Sequence, residues 1–209
     1  PLIISYFLVI SDSLRMYTRE ILLVKGILGE KDTLHIIVNH WPSRYGGYAA
    51  SEHKRIAAAE TLIKVLDSLF SRSTIPNIII MGDFNDDPTS KSMQLFTEMK
   101  FCNRSNYCCT LVNLDECILK GQKINGTLKY GSAWYMFDQI IVSENILLKK
   151  NDLYLANQCV NIYSPDYLLT RDERYGGFKP YRTYHGSKYQ NGFSDHLPVY
   201  IDLIVDGKR

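Results

Sequence analysis

The sequence predicts one mixed α/β domain in which helices pack on β-sheet. Three observations carry that expectation. The chain has 209 residues, enough for one domain or two small ones at the usual ~100–200 residues per domain and long enough to bury roughly 70% of its unfolded surface. Short apolar runs rich in β-branched residues, such as Ile78-Ile79-Ile80, recur along it. One longer segment, residues 49–71, carries Ile56, Ala59, Leu62, Ile63, Leu66, Leu69 and Phe70 at three- and four-residue spacing, the period of a helix face.

In chain order, residues 2–10 read as a buried strand. Residues 21–28 and 33–39 read as a hairpin around the turn-forming cluster Gly29-Glu30-Lys31-Asp32. The Gly-rich loop 42–48 leads into the helix at 49–71. Residues 77–81 form an all-apolar strand of the kind buried on both faces. A second helix over 91–99 follows Asp87-Pro88-Thr89-Ser90. Residues 101–127 are weakly patterned. Residues 130–134 are expected to pair with 136–143 around a short turn, 144–192 are loop-rich and aromatic, and 197–205 is the last strand.

Hydrophobic residues make up 45% and charged residues 22% of the chain, the balance of a globular protein. Lys plus Arg is 24 against 22 Asp plus Glu, a net charge of +2, which argues against coating long nucleic acid by charge alone and leaves room for a local cationic groove. The longest apolar run, residues 1–10, falls short of the ~20 residues of a membrane helix and lacks the flanks of a signal peptide. The sequence opens on Pro1 within a strand pattern, so a processed or truncated chain is expected, and the cellular compartment is left unspecified. The cysteines Cys102, Cys108, Cys109, Cys117 and Cys159 contain no CxxC pair and are expected to be scattered small hydrophobes rather than a disulfide framework or a zinc site.

The informative residues stand where apolar strands end. Alternate residues of a strand share a face, so His40 follows Leu34, Ile36 and Val38, and Asp83 continues Ile79 and Met81 with Asn85 on the same side. Asp138 opens the face of Ile140 and Val142, and Asp195 opens that of Leu197, Val199, Ile201 and Leu203, with His196 beside it. Burying such groups without partners costs several kcal/mol, so they are expected to meet one another, a metal or an anion.

Four blocks, His40-Trp41, Met81-Gly-Asp-Phe-Asn85, Phe137-Asp-Gln-Ile-Ile-Val-Ser143 and Phe193-Ser-Asp-His-Leu-Pro-Val199, resemble in identity and order the endonuclease/exonuclease/phosphatase family. Residues 39–47 look like a bacterial branch of it. The resemblance implies a DNase-I-like four-layer sandwich, two mixed β-sheets packed face to face and flanked by helices. It also implies a single domain over residues 1–209 and a metal-dependent hydrolase that cleaves a phosphodiester or phosphomonoester bond by water attack at phosphorus.

Carried over residue by residue, the resemblance makes His196 the imidazole at the scissile phosphate, oriented by Asp138. Asp83 and Asn85 position or deprotonate the attacking water and hold a phosphate oxygen, His40 donates to a phosphate oxygen, and Asp195 sits beside the metal. Which group is the acid and which the base stays open. Such chemistry is mainly positioning and charge stabilisation, suited to Mg²⁺, with Mn²⁺ as a substitute, and to an imidazole near neutral pH. Arg44, Trp134 and Arg182 are candidate substrate contacts. The implied partner is a phosphate ester: nucleic acid, a phospholipid head group or a sugar phosphate.

The family's opening Asn-containing strand and the Gln-Glu block whose Glu is the principal metal ligand have no counterpart here. Glu20, Glu30, Glu52 and Glu60 stand in no matching context. The fold is therefore expected to be N-terminally incomplete and this chain to bind Mg²⁺ weakly, to be nearly inert and to self-associate. The rival expectation is a non-catalytic binding module on the same fold.

Overall fold

The computed structural model describes residues 2–11, 14–15, 18–28, 32–71, 76–103, 108–117, 124–149 and 152–206. Seven strands form its main sheet: β1 (Ile3–Phe7), β2 (Ile21–Leu28), β3 (Asp32–His40), β4 (Asn77–Asp83), β5 (Lys100–Cys102), β6 (Cys108–Asn113) and β7 (Asp138–Ser143). They lie in the order β1-β2-β3-β4-β7-β6-β5. β3 and β4 are parallel and the other neighbours antiparallel. A parallel pair requires a long crossover, supplied by the 23-residue helix α1 (Tyr48–Phe70). A shorter helix, α2 (Lys91–Thr97), follows β4.

Each face of the sheet has its own core. Ile37, Ile78, Ile80 and Ile141 face α1 and α2, packing on Ala58, Leu62 and Leu66 of α1 and Phe96 of α2. Leu34, Ile79, Ile140 and Val142 face the opposite way, onto Leu153, Leu155, Ile162 and Leu197. That second layer is built of short antiparallel pairs, Leu153–Leu155 with Leu203–Val205 and Asn161–Ile162 with Val199–Tyr200. Two β layers packed face to face, with helices on the outside of one, are the mixed α/β sandwich expected from the sequence. Ile78, Ile79 and Ile80 are each at most 2% exposed, each such burial worth about 1.5–3 kcal/mol, and they tie both cores to β4.

Several elements differ from expectation. Among the described residues β1 is an edge strand paired with β2 alone, and Ile3, Ile4 and Tyr6 are exposed. An apolar run carries no information about whether a partner covers it. The hairpin expected across residues 130–143 is tighter: Leu128–Tyr130 pairs with Ala133–Tyr135 through Gly131-Ser132. Gly131, at φ 63°, stands first in a two-residue turn, which frees β7 to enter the main sheet between β4 and β6. The last strand is broken into two pieces that pair with different partners. The weakly patterned stretch contains β5 and β6. The turn expected at 29–32 falls largely outside the described residues.

The cysteines are also corrected. Cys102 and Cys108 are register partners across β5 and β6 and form a disulfide. Cys159 is disulfide-bonded as well, and Cys109 is a buried thiol that donates to the Thr110 carbonyl at 3.3 Å. Close cross-strand placement, invisible in spacing alone, decides which thiols meet.

Candidate active site

Strand register brings the first three residues together. Leu34 to His40 of β3 pair with Asn77 to Asp83 of β4, so His40 stands opposite Asp83. On the other side of β4, Asp83 is the register partner of Asp138 at the start of β7. His40, Asp83 and Asp138 thus form one row across the sheet. All three continue the face that packs on the second β layer, at the end where that layer stops covering it. His40 Nε2 lies 3.4 Å from Asp83 Oδ2.

His196 joins the row from the second layer. Leu128 and His196 form an isolated antiparallel bridge, and His196 Nδ1 lies 2.6 Å from Asp138 Oδ2, a short charge-assisted contact. Thr127 holds both halves of this pair: its hydroxyl accepts the Asp138 backbone N–H at 3.3 Å, and its carbonyl accepts that of Leu197 at 2.8 Å. Thr127 is fully buried. Sequence reading missed it, because its role is to join two segments about 60 residues apart, a separation no local pattern reports.

The segment after β4 is held in an unusual conformation. Gly82 has φ 135°, and a Cβ there would overlap the Asn39 carbonyl oxygen, so only glycine lets β3 and β4 approach at this row. Asn85 adopts φ 52°, a left-handed conformation that Asn tolerates better than most residues. Its backbone N–H donates to Asp83 Oδ1 at 2.9 Å and its amide to Asp83 Oδ2 at 3.2 Å and to the Trp41 carbonyl at 3.0 Å.

Beneath this turn lies a buried ionic knot. Asp86 is 0% exposed; it forms an ion pair with Arg55, Nε lying 2.6 Å from Oδ2, and accepts hydrogen bonds from Arg44 at 2.9 Å and the Ser92 hydroxyl at 2.6 Å. Its own carbonyl accepts from Gln139 of β7. Arg44 further donates to the Asn85 carbonyl and to Asp87, both at 2.9 Å, with its guanidinium over the Phe137 ring. Arg55 was legible in principle: it stands at 55 in the helical series 55, 58, 62, 66, a charge on an inward stripe.

The electrostatics separate the two imidazoles. Burial by itself would lower His196, but the hydrogen bond and charge of Asp138, joined by Asp83 and Asp195, outweigh it and raise its pKa. Burial lowers His40, and the charges of Arg19 and His196 add to this against the opposing pull of Asp83 and Asp138. Asp83 is raised by burial and by Asp138, against the lowering charges of His196 and His40 and the Asn85 hydrogen bond. Arg19, exposed just before β2, is a further cation near His40 that the sequence reading passed over.

The remaining candidates lie at varying remove. Asp195 is largely exposed beside His196 and 3.9 Å from Arg182. Trp134 lines a separate cavity of about 270 Å³ with Lys129, Tyr175 and Gly176. Among the described residues, Asp83, Asp138 and His196 offer donor atoms within 4.8 Å of one another. The contact between His196 Nδ1 and Asp138 Oδ2 occupies those two atoms, leaving carboxylate oxygens of Asp83 and Asp138 for a hard cation. Of the glutamates considered, Glu30 lies outside the described residues and none of the others belongs to this cluster.

The fold is similar to that of several solved structures. The human nocturnin catalytic domain with bound sulfate is 17% identical with a TM-score of 0.54, covering 99% of this chain and 60% of its own. An endonuclease/exonuclease/phosphatase family protein from Bacteroides thetaiotaomicron is 16% identical with a TM-score of 0.54, covering 98% and 66%. The mannosyl-6-phosphatase of the same organism is 16% identical with a TM-score of 0.50, covering 90% and 58%. The chain thus spans about 58–66% of the length of these structures. No curated protein sequence matches it. The family model described as the endonuclease/exonuclease/phosphatase family matches residues 3–204, and the chain belongs to that family.

Proposed function

We propose that the row His40–Asp83–Asp138, completed by Asn85 and His196, is the hydrolytic centre of a phosphoesterase in which water attacks phosphorus. The observation that carries this reading is the 2.6 Å Asp138–His196 contact in register with Asp83. With Nδ1 engaged by Asp138, Nε2 is the ring nitrogen left for a phosphate oxygen. A proton held there serves a phosphate or leaving-group oxygen, and the hydrogen bond and charge of Asp138, outweighing burial, shift His196 toward its protonated form. Asp83 accepts hydrogen bonds from Asn85 and stands where a water could be oriented. His40 supplies a donor on the far side, and Arg19 adds positive charge.

The residues present fit a divalent cation in part. Two carboxylates with the remaining positions left to water suit Mg²⁺ or Mn²⁺, and when bound such an ion neutralises charge on the phosphoryl group. Asp195 is the further carboxylate beside it. Arg182, 3.9 Å from Asp195, is read as a group at the rim, whereas Arg44 is held in the ionic knot by Asp86 and Asp87 and Trp134 lines the separate cavity, so neither of these two is read as a substrate contact. The mannosyl-6-phosphatase and the sulfate-bound nocturnin domain favour a phosphate ester as substrate, with nucleic acid, a phospholipid head group and a sugar phosphate as its forms.

The test is hydrolysis of p-nitrophenyl phosphate and bis-p-nitrophenyl phosphate with and without Mg²⁺ or Mn²⁺, by the longest natural chain that contains these residues. Metal-dependent turnover lost in His196→Ala supports the reading. Turnover that survives this substitution refutes the role given to His196, and no turnover on any phosphate ester leaves a binding module on the same fold.

A further inference from the structure

Arg44 lies four residues beyond His40, in the loop between β3 and α1. Its Nε donates to the Asn85 backbone carbonyl at 2.9 Å, and its Nη2 donates to Asp86 Oδ1 and Asp87 Oδ2, both at 2.9 Å. The guanidinium carbon stands 4.5 Å from the centre of the Phe137 ring and 4.8 Å from that of Tyr48. A planar fork beside aromatic rings, with three oxygens at its edge, is a geometry that arginine meets and lysine does not.

The residue that Arg44 holds is the one on which Asp83 depends. Asn85 stands at φ 52°, a left-handed conformation that persists in a non-glycine residue only where its surroundings enforce it. In that conformation its backbone N–H donates to Asp83 Oδ1 at 2.9 Å and its amide to Asp83 Oδ2 at 3.2 Å. The same amide reaches the Trp41 carbonyl at 3.0 Å, just past His40. The direction of the Asn85 carbonyl follows from the backbone torsions of this turn, and Arg44 fixes that direction. One residue on, Gln139 Nε2 donates to the Asp86 carbonyl at 2.6 Å. Two successive carbonyls are thus pinned, one from the loop after β3 and one from β7. The turn relaxes only by giving up one of these bonds.

We propose that Arg44 is a positioning residue of the hydrolytic centre: through the Asn85 carbonyl it holds the left-handed turn that orients the Asp83 carboxylate and the Asn85 amide. This role rests on the phosphoesterase reading and adds a residue to it. Arg44 stands behind the reacting groups rather than against substrate, because Asp86 and Asp87 already meet its charge and its side chain is 24% exposed. Arg44→Lys keeps a cation beside Asp86 but does not reach three acceptors in one plane. Small misplacement of oriented groups is felt in turnover, while substrate binding is left largely as it was.

The experiment has two arms. In the 209-residue chain, NMR follows the side-chain amide signals of Asn85, assigned from their loss in Asn85→Ala, and the exchange of its backbone N–H with solvent. Arg44→Lys is expected to move the side-chain signals and to speed backbone exchange roughly tenfold or more. In the longest natural chain that contains these residues, the same substitution is expected to lower kcat on bis-p-nitrophenyl phosphate roughly 10–100-fold, with KM nearly unchanged. Phe137→Leu removes the ring beside the guanidinium and is the second variant should Arg44→Lys fail to fold; both arms should then shift the same way, by less. Asn85 signals that stay in place in a folded variant overturn the proposal. So does a raised KM at unchanged kcat, the mark of a substrate contact, and so does an unchanged kcat with a lowered melting temperature, the mark of a purely structural role. A wild-type chain that hydrolyses no phosphate ester sinks the phosphoesterase reading instead, and the NMR arm still decides by itself whether Arg44 sets Asn85.

Discussion

Asp83 and Asp138 are register partners on neighbouring antiparallel strands, yet they have different neighbours: Asp138 faces His196 at 2.6 Å, and Asp83 faces His40 at 3.4 Å and Asn85. Two carboxylates side by side are tolerable because each has a donor of its own. The arrangement places one imidazole at each end of the acidic pair.

The two imidazoles are expected to titrate on opposite sides of the ordinary value of about 6.5. His196 is raised by Asp138 and His40 lowered by burial. NMR titration of the ring protons checks this, and Asp138→Asn should lower the His196 midpoint, because its burial remains and its hydrogen-bonded carboxylate is gone. The raised pKa stabilises the fold fully below the unfolded value and ceases to do so as pH rises through the folded value. Denaturant unfolding of wild type against Asp138→Asn should therefore differ most below about pH 6.5 and converge above the folded pKa of His196. A wild-type His196 midpoint below that of His40 would contradict the assignment.

In the active protein, His196→Ala or Asp83→Ala should lower turnover by roughly 10²–10⁴-fold. Both side chains reach solvent at the rim, so melting temperatures should move little. Steady-state kinetics paired with thermal unfolding separates lost chemistry from lost folding, and near-normal turnover in either variant refutes the role given to it.

The buried knot predicts the reverse pattern. Asp86→Ala leaves Arg55, 0% exposed, without its counter-charge, and breaking a buried pair from one side costs about 3–5 kcal/mol. Urea unfolding should show a loss of that order. Asp87→Ala removes a partner of Arg44 that is itself one-third exposed and should have a much smaller effect.

With two carboxylates as its hard donors, the 209-residue chain should bind Mg²⁺ weakly. Calorimetry should give shallow, unsaturating isotherms, and Asp83→Asn should remove what heat there is. A tight one-to-one isotherm would mean that the described donor set is enough.

β1 should drive self-association. It is an edge strand with Ile3, Ile4 and Tyr6 exposed, a template for pairing with another chain. Light scattering should find species larger than a monomer, and Ile4→Lys should disperse them, as a charge on an edge strand does in natural sheets. A wild-type monomer at high concentration would rule this out.

The sequence by itself determined which face each rim residue takes. His40 with Leu34 and Ile36, Asp83 with Ile79 and Met81, and Asp138 with Ile140 and Val142 all lie toward the second layer, because side-chain direction alternates locally along any strand. It also determined α1 almost to the residue, since a helix face is written in its own spacing. Tertiary structure decided what depends on pairing between distant segments. The entry of β7 between β4 and β6 makes Asp83 and Asp138 neighbours, Thr127 ties the Asp138 strand to the His196 segment, and Arg55 finds Asp86. The same holds for Cys102 meeting Cys108 and for β1 lying uncovered at an edge. Each rests on contacts whose energy appears only once the chain has closed long loops, and no local periodicity records which segments those loops bring together.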